Sequence, residues 1–267
     1  MGVVNVTPDS FSDGGRWATP DAAVAHGRDL LAQGADILDI GGESTRPGAT
    51  RPLVAEEVDR VVPVIGTLAA QGARVSVDTM RSEVAEQALA AGATMVNDVS
   101  GGLADPRILD VVAASEATYV CMHWRGHSDH MAELAAYDGP GGVVAAVRAE
   151  LCQRIESAMA AGIPRQRIVL DPGLGFAKAA RHNWTLLRGL PALQELGFPL
   201  LVGASRKSFL GTVLADADGQ PRAVDDREHA TTALTVLVAQ LGVWGLRVHD
   251  VRAARDALRT LERWEEG

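Results

Sequence analysis

Cysteine is scarce in this sequence, and its scarcity excludes one class of small protein. Cys121 and Cys152 are the only cysteines in 267 residues, too few for a disulfide framework. Neither has a further Cys or His at zinc-finger spacing, so no structural zinc site of that kind is expected. The fold must therefore depend on a hydrophobic core, which a hydrophobic content of 47% is sufficient to supply.

An excess of positive charge is also absent. The chain has 25 Lys and Arg residues against 34 Asp and Glu residues, which gives a net charge of −9. Duplex DNA, RNA and anionic membranes are bound by basic surfaces. We therefore expect neither a nucleic acid nor a membrane as the main partner.

Long hydrophobic runs are missing as well. The most apolar late stretch, residues 234–248, is too short to cross a bilayer and is interrupted by Gln240 and by glycines. The first ten residues contain Asn5 and Asp9 and lack a basic segment, which is not typical of a signal peptide. This composition predicts a soluble, cytoplasmic protein.

Eight short apolar runs recur along the chain, and a longer stretch with helical periodicity follows each of them. The runs are rich in Val, Ile and Leu without strict alternation, which is typical of parallel strands buried on both faces. The predicted strands are residues 2–6, 36–40, 74–77, 94–96, 118–122, 168–170, 200–203 and 245–248.

Helix signals occupy the intervening segments. Thr19-Pro20-Asp21 combines an N-cap, a proline at the first helical position and an early acidic residue. Apolar residues recur at three- and four-residue steps through residues 54–68. Eight βα units in this length predict an α/β fold of the (β/α)₈ barrel type, in one domain over residues 1–267. A doubly wound sheet is the alternative, but no G-x-G-x-x-G turn follows any strand.

Polar residues stand where the predicted strands end. In a barrel of this type the carboxyl ends of the strands form the active site. A single Asp after a strand is also a common helix cap, and that alternative stays open for Asp78 or Asp98 taken alone. All eight strand ends are polar, which indicates a site. The residues are Asn5, Asp39, Glu43, Asp78, Asn97, Asp98, His123, Asp171, Ser205, Arg206, Lys207, Arg247 and His249.

These side chains separate into two chemical groups. Asp78, Asn97 and Asp171 can accept hydrogen bonds from the donor edge of a heterocycle. A basic group suggests a phosphate or diphosphate, and Asn5 with nearby acidic residues suggests Mg²⁺. The basic residues are Arg46, Lys207, Arg247 and His249. The simplest substrate is a polar heterocycle that carries an anionic leaving group.

Two turn-rich loops carry residues that a simple connector would not need. The first, residues 7–15, contains Phe11, and the second, residues 41–48, contains Arg46 and paired hydroxyl groups. We expect both loops to cover the site. The alternative for Phe11 is a hydrophobic plug on the barrel rim.

Several motifs together resemble those of the dihydropteroate synthases. The segments NVTPDSFSDGG (residues 5–15) and DIGGESTRPG (residues 39–48) are similar to the two signature loops of that family. Five shorter motifs follow in the same order, so the resemblance extends from residue 1 to about residue 260. They are Ser76–Thr79, Val96–Asp98, Asp171–Phe176, Ser205–Ser208 and Arg247–His249.

This resemblance implies an activity, a fold and partners. The family has the TIM-barrel fold and condenses 6-hydroxymethyl-7,8-dihydropterin diphosphate with p-aminobenzoate, which yields 7,8-dihydropteroate and diphosphate for folate synthesis. It implies Mg²⁺ as cofactor, competition by sulfonamides and a homodimer. It also implies that a cation develops on the pterin as diphosphate leaves.

Residue roles are also carried over from the resemblance. It assigns pterin binding to Asp78, Asn97, Asp171 and Lys207, and diphosphate binding to Arg247, His249 and, through Mg²⁺, Asn5. It assigns the p-aminobenzoate pocket to Phe11, Thr45, Arg46, Pro47 and Ser208, with Phe176 and Lys178 lining both substrates. Asp78, Asp171, Lys207, Arg247 and His249 are the expected catalytic residues.

Three other functions remain open at this stage. A Schiff-base aldolase would use Lys207 as nucleophile, but that lysine does not lie mid-strand in an apolar pocket that would lower its pKa. A pterin-dependent methyltransferase would have no use for the two signature loops. A paralogue that binds pterin without turnover would have no use for intact loops together with Lys207, Arg247 and His249.

Some features receive no role. His127 and His130 have H-x-x-H spacing, but they stand in a Gly/Ser/Asp loop, for which a solvated loop is the preferred interpretation over a metal site. Cys121 is expected in the core. Apolar residues of the late helices, namely Leu234, Val238 and Leu241, could serve either the core or a dimer interface.

Overall fold

The computed structural model describes residues 1–7, 19–43, 51–127 and 133–267. Within these ranges, eight parallel strands alternate with helices, as the sequence predicts. The strands are β1 (Gly2–Asn5), β2 (Leu38–Gly41), β3 (Val75–Asp78), β4 (Met95–Asp98), β5 (Thr118–Met122), β6 (Ile168–Asp171), β7 (Leu201–Val202) and β8 (Gly245–Leu246).

The strands follow one another in sequence order around the fold. β1 to β6 form one parallel sheet, and β7 pairs with β8 in a second parallel sheet. Isolated bridges join the two sheets at both edges, between Leu170 and Leu200 and between Gly2 and Val248. The arrangement is that of a TIM barrel in which single bridges, not continuous ladders, connect the last two strands to the others.

Ten α-helices lie in the described ranges and follow the strands in the order that a (β/α)₈ barrel requires. They are α1 (Pro20–Ala32), α2 (Val54–Ala70), α3 (Ser82–Ala90), α4 (Arg107–Ala113), α5 (Gly142–Ala160), α6 (Ala180–Arg188), α7 (Leu190–Gln194), α8 (Ser208–Val213), α9 (Glu228–Ala239) and α10 (Val251–Glu266). Two short 3₁₀ turns, Arg165–Arg167 and Val224–Arg227, complete them. The single-domain assignment for residues 1–267 stays a prediction.

Side-chain caps begin the first and last helices. Thr19 accepts a hydrogen bond from the Ala22 amide, and Pro20 follows at the first helical position of α1. At the start of α10, Asp250 accepts from the Ala253 amide. The capping signal read from Thr19-Pro20-Asp21 is confirmed.

The interior of the barrel is apolar at its amino-terminal end and polar at the other. Alternate residues of a strand face the same side, and five inward-facing residues pack into one buried cluster, namely Ile37, Met95, Val120, Val169 and Leu201. Two residues further along three of these strands stand Asp39, Asn97 and Asp171. The apolar cluster is thus a floor beneath a polar layer, while outward-facing residues form the larger core with the helices.

No helix in the described part of the chain is long and apolar enough to cross a membrane. For the apolar residues of the late helices, the sequence left open whether they belong to the core or to a dimer interface. Leu234 and Val238 are buried in the core, whereas Leu241 is partly exposed.

Candidate active site

Arg247 lies at the centre of the polar layer. Its Nε donates a hydrogen bond to Asp39 Oδ2 at 2.6 Å, and its Nη2 donates to Asp78 Oδ2 at 2.7 Å. Asn97 Nδ2 donates to the same Asp39 oxygen at 2.9 Å. Four of the predicted polar side chains from different strands are therefore in one connected network.

Asp39 has a larger part in this network than the sequence indicates. It is the second residue of β2 and not its end, it is fully buried, and its Oδ1 has no hydrogen-bond partner. It was not among the candidate binding residues because the family resemblance assigns no substrate contact to it. The alternation of Ile37, Asp39 and Gly41 along one face of β2 is the signal that could have identified it.

Burial and neighbouring charges shift the pKa values of Asp78 and Arg247. Burial raises the pKa of Asp78 to about 7, with the Arg247 guanidinium acting against this and the Asp39 carboxylate adding to it. For Arg247, burial lowers the pKa, but Asp39 and Asp78 outweigh this and raise it above its usual value. Arg247 is therefore a permanent cation at the base of the pocket.

Asp171 and Lys207 are two further opposite charges of the site, and they interact electrostatically. Asp171 is buried, and its Oδ1 accepts a hydrogen bond from the Gly173 amide at 2.7 Å. Burial raises the pKa of Asp171, and Lys207 opposes that shift. Gly203 lies next to both this carboxylate and Arg247, since a Cβ there would lie 3.9 Å from Asp171 Oδ2 and 3.7 Å from Arg247 Cβ.

Lys207 has a lower pKa than the sequence led us to expect. Its Nζ donates to the Leu174 carbonyl oxygen and lies 4.8 Å from the centroid of the Phe176 ring. Burial lowers the pKa of Lys207 to about 8. Lys207 follows β7 as the sequence predicted and does not lie mid-strand, but its pKa is lowered there all the same, so the pKa is no argument against a Schiff-base aldolase.

His249 is oriented by a serine of the neighbouring loop. Ser205 Oγ lies 2.9 Å from His249 Nδ1 and also accepts from the His249 backbone amide at 3.3 Å. The predicted basic residues Lys207, Arg247 and His249 thus all lie at the carboxyl ends of β7 and β8. Ser208, the other predicted residue here, is exposed as the first residue of α8.

An apolar wall stands beside these charges, and the sequence reasoning identified only one of its members as a site residue. Met80, Val99 and Met122 form a small buried cluster at the carboxyl ends of β3, β4 and β5, and Trp124 and Phe176 pack against it. A flat heterocycle placed between this wall and the polar layer would have an apolar face and a hydrogen-bonding edge.

Lys178 faces protein groups in this structure. Its Nζ lies within hydrogen-bond distance of His123 Nδ1 and of the Gly173 and Phe176 carbonyl oxygens. Its predicted contact with substrate stays a prediction.

Asp98 has the structural role that the sequence left open for it. Its two oxygens accept hydrogen bonds from the Ser100 amide and hydroxyl, the Gly102 amide and the Tyr119 hydroxyl, at 2.6 to 2.8 Å. With its acceptor capacity used in this way, Asp98 stabilises the turn after β4.

An ion-pair cluster lies beside the second signature loop. Arg81 approaches Glu43 at 3.4 Å and donates to the Pro52 carbonyl oxygen at 2.7 Å, so it binds residues on both sides of positions 44–50. Arg81 also pairs with the buried Glu57, which accepts from Thr79 Oγ1 at 2.6 Å. Glu43, taken from the sequence as a strand-end acid, thus has a role at the base of that loop.

The residues around Asn5 are compatible with Mg²⁺ bound jointly to protein and substrate. Asn5 Oδ1 is 3.7 Å and Asp78 Cβ is 3.5 Å from the point where a Gly41 side chain would begin, so the amide oxygen borders the polar layer. No group of three or more His, Cys, Asp or Glu side chains in the described ranges could hold a metal alone. Mg²⁺ commonly takes one or two protein oxygens together with substrate phosphates, which fits a donor such as Asn5.

Four predicted binding residues lie outside the described residues, namely Phe11, Thr45, Arg46 and Pro47. His130 of the H-x-x-H pair does so too, and His127 contacts the Trp124 ring edge-on at 5.0 Å.

Comparisons with known proteins show which family the sequence matches. The model of the family described as pterin binding enzyme matches residues 1–249. A dihydropteroate synthase of Mycobacterium leprae is 53% identical over 266 residues, which cover 99% of this chain and 92% of that protein.

Solved structures give the same result. A structure of Xanthomonas albilineans dihydropteroate synthase with 4-aminobenzoic acid is 48% identical, covers 100% of this chain and 91% of its own, and superimposes with a TM-score of 0.87. The Yersinia pestis dihydropteroate synthase in complex with a sulfonamide drug is 38% identical, with coverages of 100% and 94% and a TM-score of 0.93.

Proposed function

The chain belongs to the pterin-binding enzyme family, among its dihydropteroate synthases, and we propose how its residues divide the work of that reaction. The enzyme condenses 6-hydroxymethyl-7,8-dihydropterin diphosphate with p-aminobenzoate, which gives 7,8-dihydropteroate and diphosphate in folate biosynthesis. The residue roles below are proposals.

The observation that carries these roles is the charge arrangement around Arg247. Asp39 and Asp78 share one guanidinium, so the cluster has one more carboxylate than it has cations. Asp171 and Lys207 lie beside this cluster, and Asn97 joins it by a hydrogen bond to Asp39. Such a pocket suits a heterocycle that presents donors and becomes positively charged during the reaction.

The reaction needs no protein nucleophile. The bond between the pterin methylene carbon and the diphosphate oxygen breaks, and its electron pair leaves with diphosphate. Asp78 and Asp171 stabilise the cation that develops on the pterin. The arylamine nitrogen then forms the new bond to carbon and loses a proton to solvent.

The leaving diphosphate is bound by the basic side chains that follow β8. Arg247 provides positive charge there, and His249, oriented by Ser205, provides a hydrogen-bonding ring nitrogen. When bound, Mg²⁺ would add charge neutralisation at the diphosphate, with Asn5 as its protein ligand.

The arylamine site lies beside the two signature loops. Phe176, Ser208 and the loop residues Phe11, Thr45, Arg46 and Pro47 would form it, with Lys178 nearby. The loops position the arylamine and exclude water, which would otherwise trap the cation. Sulfonamides would compete with p-aminobenzoate here, as the sulfonamide complex of the Yersinia pestis enzyme supports.

Release of diphosphate tests these roles directly. We would measure it with dihydropterin diphosphate and Mg²⁺, with and without p-aminobenzoate, on the wild type and on Asp78→Ala. Release that requires the arylamine and collapses in the variant supports the proposed pterin pocket. Binding of pterin without release would indicate a binding paralogue, and unchanged activity in Asp78→Ala would refute the role of this carboxylate.

The oligomeric state is proposed to be a homodimer. Leu237, Leu241 and Trp244 expose apolar surface on and after α9, which supports an interface between two copies. Light scattering on Leu237→Glu and wild type would test it, since a monomeric wild type would refute the proposal. Cytoplasmic location stays a prediction from composition, which cell fractionation would test.

A further inference from the structure

His123 is a buried titratable residue that the proposed reaction does not use. It follows β5 and is 1% exposed, with Nε2 at 2.9 Å from Glu150 Oε2 and Nδ1 at 2.9 Å from Lys178 Nζ. An ionised carboxylate can only accept, so Nε2 carries the proton and Nδ1 is left as an acceptor. Burial, followed by Lys178, lowers the pKa of His123 to about 4, which agrees with a neutral ring.

The amino group of Lys178 is fully occupied by protein, and burial lowers its pKa well below the usual range. An ammonium has three protons to donate, and Lys178 Nζ faces three acceptors: His123 Nδ1, the Gly173 carbonyl at 2.8 Å and the Phe176 carbonyl at 3.0 Å. The side chain is buried. No proton of this group remains for a substrate.

The two carbonyls that Lys178 binds are the ends of one turn. The Phe176 amide donates to the Gly173 carbonyl at 3.1 Å, and the Gly173 amide donates to Asp171 Oδ1 at 2.7 Å. Gly173 has a φ of +66°, and a Cβ there would collide with the His123 carbonyl. The turn is therefore pressed against the end of β5, where its Gly173 amide fixes the Asp171 carboxylate and its last residue is Phe176.

Further contacts around His123 and Lys178 hold the two residues in place. Arg125 Nη2 donates to Glu150 Oε1 at 2.5 Å, and its guanidinium lies 4.1 Å from the centroid of the Tyr137 ring. The Tyr137 hydroxyl donates to the Ala177 carbonyl at 3.0 Å, next to Lys178 in the chain. Glu150, on α5, is thus fixed on one side by His123 and on the other by Arg125.

The choice of lysine at this position is informative. The chain has only two lysines, Lys178 and Lys207, among 25 basic residues, and both lie at the site. A compact ammonium fits three converging acceptors, whereas the planar guanidinium of arginine does not.

From these contacts we propose that His123 and Lys178 are positioning residues. They hold the Gly173–Phe176 turn, and through it Asp171 and Phe176, in the geometry that the pterin and the arylamine require. This inference rests on the proposed function of the site, and it gives Lys178 a role through the backbone, not by contact with substrate.

Two substitutions of His123 separate its two contacts. In His123→Asn the side-chain oxygen takes the place of Nδ1 and still accepts from Lys178, whereas His123→Gln reaches toward Glu150 and loses Lys178. Lys178→Met removes all three donors at similar length. Glu156→Gln, an exposed change on the same helix as Glu150, is the matched control.

Amide hydrogen exchange at Gly173 and Phe176 is the first readout, because it does not depend on turnover. We expect at least tenfold faster exchange of these two amides in Lys178→Met and His123→Gln, and wild-type rates in His123→Asn and Glu156→Gln. The second readout is kcat/KM, which a displacement of about 1 Å can lower about 10²-fold. We expect it to fall in the same two variants and to recover in His123→Asn.

The outcomes are distinguishable. If activity falls in Lys178→Met while both amides exchange at the wild-type rate, Lys178 acts on substrate and the proposal is overturned. Equal exchange in His123→Asn and His123→Gln also overturns it, and this comparison remains available if Lys178→Met does not fold. Faster exchange in an enzyme that shows no diphosphate release would support the positioning pair and refute only the proposed function.

Discussion

Asp39 and Asp78 stand on neighbouring strands and bind the same guanidinium, Asp39 at 2.6 Å from the inside of the barrel and Asp78 at 2.7 Å from the strand end. Asp39 has no exposure at all, whereas the Asp78 side chain is 18% exposed. The inner carboxylate therefore fixes Arg247, and the outer one is placed to meet a ligand.

Removal of Asp39 should disturb both stability and substrate binding. Asp39→Ala leaves Asn97 without its partner and Arg247 with Asp78 alone, and a broken buried pair costs about 3–5 kcal/mol. We expect the free energy of unfolding to fall by that amount in chemical denaturation, together with a higher KM for dihydropterin diphosphate. Asp36→Ala, an exposed change just before β2, is the control and should alter neither. An Asp39→Ala variant with wild-type stability would contradict this account of the network.

Protonation of Asp78 should make the affinity for pterin vary with pH. Burial raises its pKa to about 7, so the carboxylate that we propose accepts hydrogen bonds from pterin is lost as the pH falls through that value. We expect pterin affinity, measured by calorimetry from pH 5.5 to pH 8.5, to decrease toward low pH in the wild type. Asp78→Asn should bind more weakly and without this slope. Parallel slopes in the two proteins would assign the titration to another group.

The same raised pKa has an opposite effect on stability. Between the ordinary value of 3.8 and about 7, the folded chain holds a proton on Asp78 that the unfolded chain has lost. The contribution of Asp78 to the free energy of unfolding therefore falls as the pH rises through this window. Urea denaturation at pH 4.5 and 7.5 should show a smaller loss of stability over this interval in Asp78→Asn than in the wild type.

The sequence predicted the strands well because their apolar runs are local. The prediction for β5, residues 118–122, agrees with the structure, and the others differ by one to two residues at their ends. The polar ends of these strands were predicted for the same reason. Once a barrel is recognised, the direction of each strand places Asp78, Asn97 and Asp171 at one end of it.

Contacts between distant segments could not be predicted in this way. Glu150 is a helix residue whose partner His123 is 27 positions away, and nothing in the periodicity of α5 singles it out. The desolvation of Lys207 depends on packing that the motif pattern does not contain. Asp39 was predicted as a polar strand-end residue but received no binding role, because its partners come from β4 and from the segment after β8, more than 50 residues further along the chain.

Ala177 has a backbone conformation that alanine rarely adopts. Its φ is +46°. Among the described non-glycine residues, only Arg206, at +60°, also has a positive φ. The left-handed region costs a residue with a Cβ about 1 kcal/mol or more. Ala177→Gly should therefore raise the free energy of unfolding by about 1 kcal/mol, measured by urea denaturation. Ala149→Gly, an exposed change in the middle of α5, should lower it by about 1 kcal/mol. The same sign in both variants would refute strain at Ala177.

Arg247 should not be replaceable by lysine, although the charge would be kept. Its Nε and Nη2 bind two carboxylates that come from different strands, a geometry that the single ammonium group of lysine does not reproduce. We expect Arg247→Lys to lose about 2–4 kcal/mol of transition-state binding, measured as a fall in kcat/KM for dihydropterin diphosphate. Arg252→Lys, an exposed change on α10, should leave kcat/KM at the wild-type value. If Arg247→Lys retains full activity, positive charge alone is sufficient at this position, and the shared guanidinium has no part in organising the pocket.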